Sequence, residues 1–176
     1  GAIVDIGAWV LRESLRQFAE WKAAEPAGTM RYISVNVSAR QFRTPGFVDQ
    51  VRQALVDSGA PPHQLMLEIT ESLLLRDDDQ VWEDLTELRT TGVRVAIDDF
   101  GTGYSSLSYL RQVSLDVVKL DKSFVGAIET SPQQRALVEG IVRLAATLGL
   151  EVIAEGIETS QQREILADIG CPFGQG

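Results

Sequence analysis

Short apolar runs suited to strands alternate with amphipathic stretches suited to helices along nearly the whole chain, and no other feature restricts the fold as much. Ile6, Trp9, Val10, Leu15, Phe18 and Trp21 recur at near-helical spacing, so the first twenty-odd residues read as a helix. Tyr32–Val37 is a short β-branched run. A helix over about Phe47–Ser58 is broken by Pro61 and Pro62, and Leu65–Ile69 reads as a strand. The next helix carries Val81, Trp82, Leu85 and Leu88 and ends at Gly92. Val93–Ile97 is again a strand, followed by a Gly/Ser-rich loop and a short helix. Leu115–Leu120 reads as strand, Pro132–Leu148 as helix, Glu151–Ala154 as strand and Ser160–Ile169 as helix, with a last strand starting around Cys171–Phe173. Such alternation implies an α/β fold with a parallel sheet and right-handed crossovers.

Two architectures satisfy that pattern, an open doubly wound sheet and a (β/α) barrel. Asn36, Glu68, Asp98, Asp99, Lys119 and Glu155 fall at or just beyond the C-terminal ends of five different expected strands. A barrel gathers its functional residues at that edge, whereas an open sheet concentrates them at one switch point. The barrel is therefore the expected architecture. A complete barrel has eight strands and about 250 residues, against six expected strands in these 176 residues. The chain reads as a single domain over residues 1–176, cut at both ends.

Composition narrows the partners. A net charge of −9 disfavours binding to nucleic-acid polymers, whose phosphates call for lysine and arginine. It leaves room for an anionic small ligand only where local cations offset the repulsion. There is no apolar run of membrane-spanning length and no basic-then-apolar leader. The single cysteine, Cys171, rules out an internal disulfide framework and suits a reducing compartment, as a small buried apolar residue of the terminal strand. A cytoplasmic protein is expected, free or as part of a larger membrane-anchored one.

The strand-end set holds four carboxylates, an amide and a lysine. Hard oxygen donors suit magnesium, manganese or calcium; the only histidine, His63, lies in a Pro-Pro-His-Gln turn, which leaves zinc and Ser-His-Asp schemes without parts. Asp98 and Asp99 after VRVAI could serve two metal ions, one carboxylate bridging, or could simply cap a turn. Lys119 in VVKLD, apolar on both sides, could orient a water or stabilise charge on phosphorus, or form a plain salt bridge. Glu155 and Glu158 leave a buried strand within three residues, and Glu158 could equally cap the next helix.

NVSARQF, LEITES, IDDFGTGYSSLSYL, VVKLDKSFV, VIAEGIET and GCPFGQG occur in that order, after a helix containing IGAWVL. Together they resemble the motifs of EAL-domain phosphodiesterases acting on cyclic di-GMP. The resemblance implies a modified TIM (β/α)8 barrel, here without its first and last strands, that cleaves cyclic di-GMP to linear pGpG with two Mg²⁺ or Mn²⁺ ions. By the same resemblance Asn36, Glu68, Asp98, Asp99 and Glu155 are metal ligands, and Lys119 contacts the catalytic water. Glu71 steadies the loop Phe100–Leu107, and Glu158 and Gln175 are further site residues. Residues that bind substrate are not identified. The loop and its neighbours resemble the region through which family members form homodimers.

The match has two departures. The Glu-Ala-Leu tripeptide that names the family does not occur in the chain, and VSLD at 113–116 stands where a Leu-Pro-hydrophobic-Asp segment is usual. The fragment alone is expected to be inactive or very weak. Two other readings compete: an inactive EAL receptor that senses the dinucleotide or contacts a protein, and a metal-dependent barrel enzyme acting through an enolate.

Overall fold

The computed structural model describes residues 1–25, 28–74, 78–101 and 115–176. These fall into two compact units, residues 1–95 and 96–176. The expected short helix after Phe100, and all of the Phe100–Leu107 loop except Phe100 and Gly101, lie outside the described residues.

The first unit opens with α1 (Ala2–Ala24), and continues with β1 (Ile33–Val37), α2 (Ala39–Phe42), α3 (Phe47–Ser58), a 3₁₀ turn (Pro62–Gln64), β2 (Leu65–Thr70), α4 (Glu71–Leu74) and α5 (Asp79–Thr90). Helix α1 forms where its periodicity predicts, and Leu15 and Phe18 of the expected set are buried, but the rest of that set is not. Leu11, Leu15 and Phe18 are buried, whereas Ile6, Trp9 and Trp21 are exposed. Spacings of four and three residues keep the buried trio on one stripe. Gly59 closes α3 in a left-handed conformation, its N–H donating to the Leu55 carbonyl. Thus α3 ends before the two prolines.

Strand β2 has the nearly unbroken apolar run of a strand covered on both faces, with Leu65–Ile69 all buried. It pairs in parallel with β1, and the register sets Asn36 opposite Glu68. The core of this unit gathers Leu11, Leu15 and Phe18 with Val35, Phe42, Phe47 and Val51. Phe42 and Phe47 meet at 5.1 Å between ring centres, tilted by 45°.

The second unit contains the paired part of β3 (Arg94–Phe100), then β4 (Val117–Leu120), α6 (Lys122–Val125), α7 (Pro132–Thr147), β5 (Glu151–Glu155), α8 (Ser160–Asp168) and β6 (Phe173–Gln175). Strands β3, β4, β5 and β6 pair in parallel in that order. Parallel neighbours joined through helices are what the alternating pattern requires. Helix α7 begins at Ser131, whose hydroxyl accepts the Gln134 N–H, with Pro132 in its first turn. It turns Val138, Val142 and Ala145 inward.

Strand β3 runs past its expected end at Ile97. Ile97 pairs with Val118 and Phe100 with Leu120, so three steps along β3 match two along β4. The extra residue makes a bulge, and Asp99 takes a left-handed backbone at φ 54°. Cys171 is buried as expected, in the turn just before β6, with its Sγ 3.6 Å from the Val152 carbonyl.

Candidate functional site

The bulge in β3 decides what Asp98 and Asp99 can do. On a regular strand two adjacent side chains point to opposite faces. Here the left-handed turn at Asp99 cancels that alternation. Asp98, Asp99 and Glu155 each place a carboxylate oxygen within 4.8 Å of the others. A left-handed backbone at a residue other than glycine costs of order 1–3 kcal/mol, and such strain collects at functional sites.

Lys119 enters this cluster from β4. It is buried, and its Nζ lies 3.1 Å from Asp98 Oδ1 and 2.6 Å from Glu155 Oε1. The register puts Lys119 beside Ile153 on β5, so the long side chain reaches along the strand to Glu155. One buried ammonium thus faces two partly buried carboxylates, in a charge-assisted pairing.

Asp98 Oδ1 is itself buried and makes no aligned hydrogen bond among the described residues, despite its closeness to Lys119. An under-coordinated buried carboxylate oxygen beside two further carboxylates fits a divalent cation with oxygen ligands. Partial burial, then the charges of Asp98 and Asp121, raise the pKa of Asp99 above its ordinary value, and Lys119 opposes them. Asp99 nonetheless belongs to the exposed residues, so its carboxylate is open to an incoming ion from solvent. The crowding of acid groups at one strand edge is the electrostatic setting in which a cation binds.

Asp121 is absent from the expected site set. Its carboxylate accepts the Ser123 N–H at 2.9 Å, capping α6, and the Ser123 side chain, then this backbone N–H, hold its pKa below the usual carboxylate range. The sequence signal was present in Leu-Asp-Lys-Ser, two residues beyond Lys119, and reads there as an ordinary helix cap.

Gln175 on β6 pairs with Glu155, and its carbonyl accepts the Ile157 N–H at 3.1 Å. Glu158 is exposed, and its N–H donates to Gln162 Oε1 at 2.7 Å. Gln162 Oε1 also accepts the Thr159 N–H, while the Thr159 hydroxyl accepts the Gln162 N–H, which completes a capping box on α8. The Thr159 hydroxyl also donates to Glu129. The capping expected of Glu158 therefore belongs to Thr159 and Gln162.

In the first unit, Asn36 and Glu68 sit side by side at the C-terminal ends of β1 and β2, Asn36 exposed and Glu68 buried. Glu71, also buried, is the first residue of α4. His63 lies exposed in the 3₁₀ turn, as its position between proline and glutamine predicts.

Comparison with known proteins bears on the whole chain. The family model described as "EAL domain" matches residues 1–176. The bifunctional diguanylate cyclase/cyclic di-GMP phosphodiesterase MucR of Pseudomonas aeruginosa is 44% identical over 176 residues, which are all of this chain and 25% of that protein. The chain thus spans about a quarter of the length of that curated relative. The solved PaMucR phosphodiesterase in complex with c-di-GMP superposes with a TM-score of 0.91 at 44% identity, covering 100% of this chain and 70% of that one. A manganese/c-di-GMP complex of Klebsiella pneumoniae BlrP1 gives a TM-score of 0.82 at 32% identity, covering 96% of this chain and 43% of that one. The α/β fold is accordingly TIM-barrel-like, as the strand-end residues led us to expect.

Proposed function

Because the chain belongs to the EAL domain family, we propose that its site serves the metal-dependent hydrolysis of cyclic di-GMP to linear pGpG. The observation that carries this reading is the convergence of Asp98, Asp99 and Glu155 around the buried ammonium of Lys119. A relative with 44% identity is a bifunctional diguanylate cyclase/cyclic di-GMP phosphodiesterase, and a related structure is a manganese complex with the dinucleotide.

Asn36, Glu68, Asp98, Asp99 and Glu155 are the proposed ligands of two Mg²⁺ or Mn²⁺ ions. Such ions, when bound, would neutralise the phosphodiester and lower the pKa of a water. Lys119 pairs with Asp98 and Glu155 and presents a positive charge where a water or a phosphoryl oxygen can be oriented. Glu155 has a double part, as ligand and as the partner that holds Lys119 in place. Glu158 and Gln175 flank it, the first three residues on and the second across the β5–β6 pair. Glu71 is proposed to steady the loop that begins at Phe100. A cytoplasmic homodimer formed through Phe100–Leu107 completes the reading, on the resemblance of that segment.

The test is Mg²⁺- or Mn²⁺-dependent formation of pGpG by a protein carrying this chain with an intact Glu-Ala-Leu strand. Asp98→Asn should lower turnover at least about 100-fold, the scale of losing one preorganised electrostatic group. Unchanged turnover in that variant would remove Asp98 from the centre. Binding of cyclic di-GMP without any pGpG would assign the protein to the receptors instead.

A further inference from the structure

The turn that follows β4 is pressed against both strand ends that carry the clustered carboxylates. Helix α6, capped by Asp121, packs on β5 and begins only three residues beyond Lys119. Gly101 comes two residues after Asp99 and has φ +89°, and the ring of Phe124 lies so close that a Cβ on residue 101 would fall inside it. Gly156 directly follows Glu155 and has φ +66°. A Cβ there would stand 2.5 Å from Lys122 Cβ and 3.3 Å from Lys122 Cα. Both glycines therefore allow an approach that no side chain permits, in a backbone conformation that L residues avoid. On its far side α6 is held by Gln134, whose Nε2 donates to the Phe124 carbonyl at 3.0 Å.

We infer that Phe124 and Lys122 are positioning residues, a wedge between Gly101 and Gly156 that sets the separation at which Asp98, Asp99 and Glu155 converge. This inference rests on the reading of those carboxylates as metal ligands. Neither residue is a ligand. Each acts through the glycine it touches, and so through the backbone of a strand end. Oxygen ligands to magnesium or manganese must hold their distances within a few tenths of an ångström. A strand end that relaxes by a larger amount carries its carboxylate out of range, while the strand itself stays paired.

Two measurements on the whole chain decide the matter. The first needs no metal: a double-mutant cycle of Gly101→Ala and Phe124→Leu, read by urea unfolding. A smaller residue at 124 relieves the new methyl group, so the double variant should unfold about tenfold less readily than the two single effects combined would give. Independent effects would overturn the wedge. The second is Mn²⁺ titration followed by the electron paramagnetic resonance of the free ion. Phe124→Ala should weaken uptake about tenfold while retaining a cooperative unfolding transition, and Phe124→Leu should restore most of it. Wild-type uptake in Phe124→Ala would overturn the positioning role. If Phe124→Ala does not fold, Gly156→Ala, which presses on Lys122 from the other strand, should show the same loss, and its normal uptake would overturn the inference equally. A wild-type chain that takes up no Mn²⁺ while the cycle still shows coupling would instead overturn the metal reading of the carboxylates, and the positioning role with it.

Discussion

Lys119 is buried within 3.1 Å of Asp98 and 2.6 Å of Glu155, and its charge has a structural consequence before any chemistry. Lys119→Met keeps the volume and removes the ammonium, so two partly buried carboxylates then face each other without a counter-ion. In chelator, urea unfolding should show a loss of roughly 2 kcal/mol, the scale of a hydrogen bond to a charged group. Added Mn²⁺ should return more stability to this variant than to the wild type, because the ion replaces the missing charge. Equal gains would mean that Lys119 does not compete with the ion for these carboxylates, and no gain in either protein that they hold none. Lys119 was legible in the sequence because a lysine between apolar strand neighbours demands a partner. The partners' arrangement was not, since nothing in VRVAIDDF announces the bulge that brings Asp98 and Asp99 to one side. Cys171 shows the same division. Burial raises its pKa, so the folded state keeps the thiol protonated to a higher pH than the unfolded chain does. The associated stability is full below the unfolded value and declines as pH rises from there through the folded value. A disulfide exchange reagent at pH 8 should react slowly with native protein and at once after denaturation. Rapid labelling of the native chain would contradict this placement.

At the scale of elements, periodicity found the strands and the long helices but not the four-residue helices α2, α4 and α6, and tertiary contact chose faces and ends. Helix α1 formed over its expected span, yet it buries Leu11, Leu15 and Phe18 and leaves Ile6, Trp9 and Trp21 exposed. Leu15 and Phe18 were in the expected set, but near-helical spacing alone does not say which of its other members the core covers. Helix α8 owes its start to a capping box in which Gln162 receives the N–H groups of both Glu158 and Thr159. Gln162→Ala should therefore cost about 1–2 kcal/mol, the combined scale of a lost cap and an orphaned donor. Gln162→Glu keeps the acceptor and should recover most of that loss in the same urea titration. A Gln162→Ala protein as stable as wild type would mean that Glu158 is held by something else.

For the whole molecule the alternation of elements was enough to expect a parallel α/β fold, because strands joined by helices of this length leave few other topologies. Net charge adds a constraint that fold alone does not. The chain carries nine more negative than positive charges, and the proposed substrate is an anion. If two divalent ions offset four of those charges at the point of contact, binding of cyclic di-GMP should depend on the metal more than on any cationic side chain. Calorimetry on a protein carrying this chain should find affinity in chelator at least about tenfold weaker than with Mn²⁺, the low end of what a bound ion contributes. The effect of added salt separates the two possible sources of attraction. Without metal, salt screens the repulsion between an acidic surface and an anion, so it should strengthen the residual binding. Were lysines and arginines the main contacts, salt would weaken binding in chelator as it does for phosphate-binding proteins. That opposite slope would reject metal-borne attraction while leaving the carboxylate cluster intact.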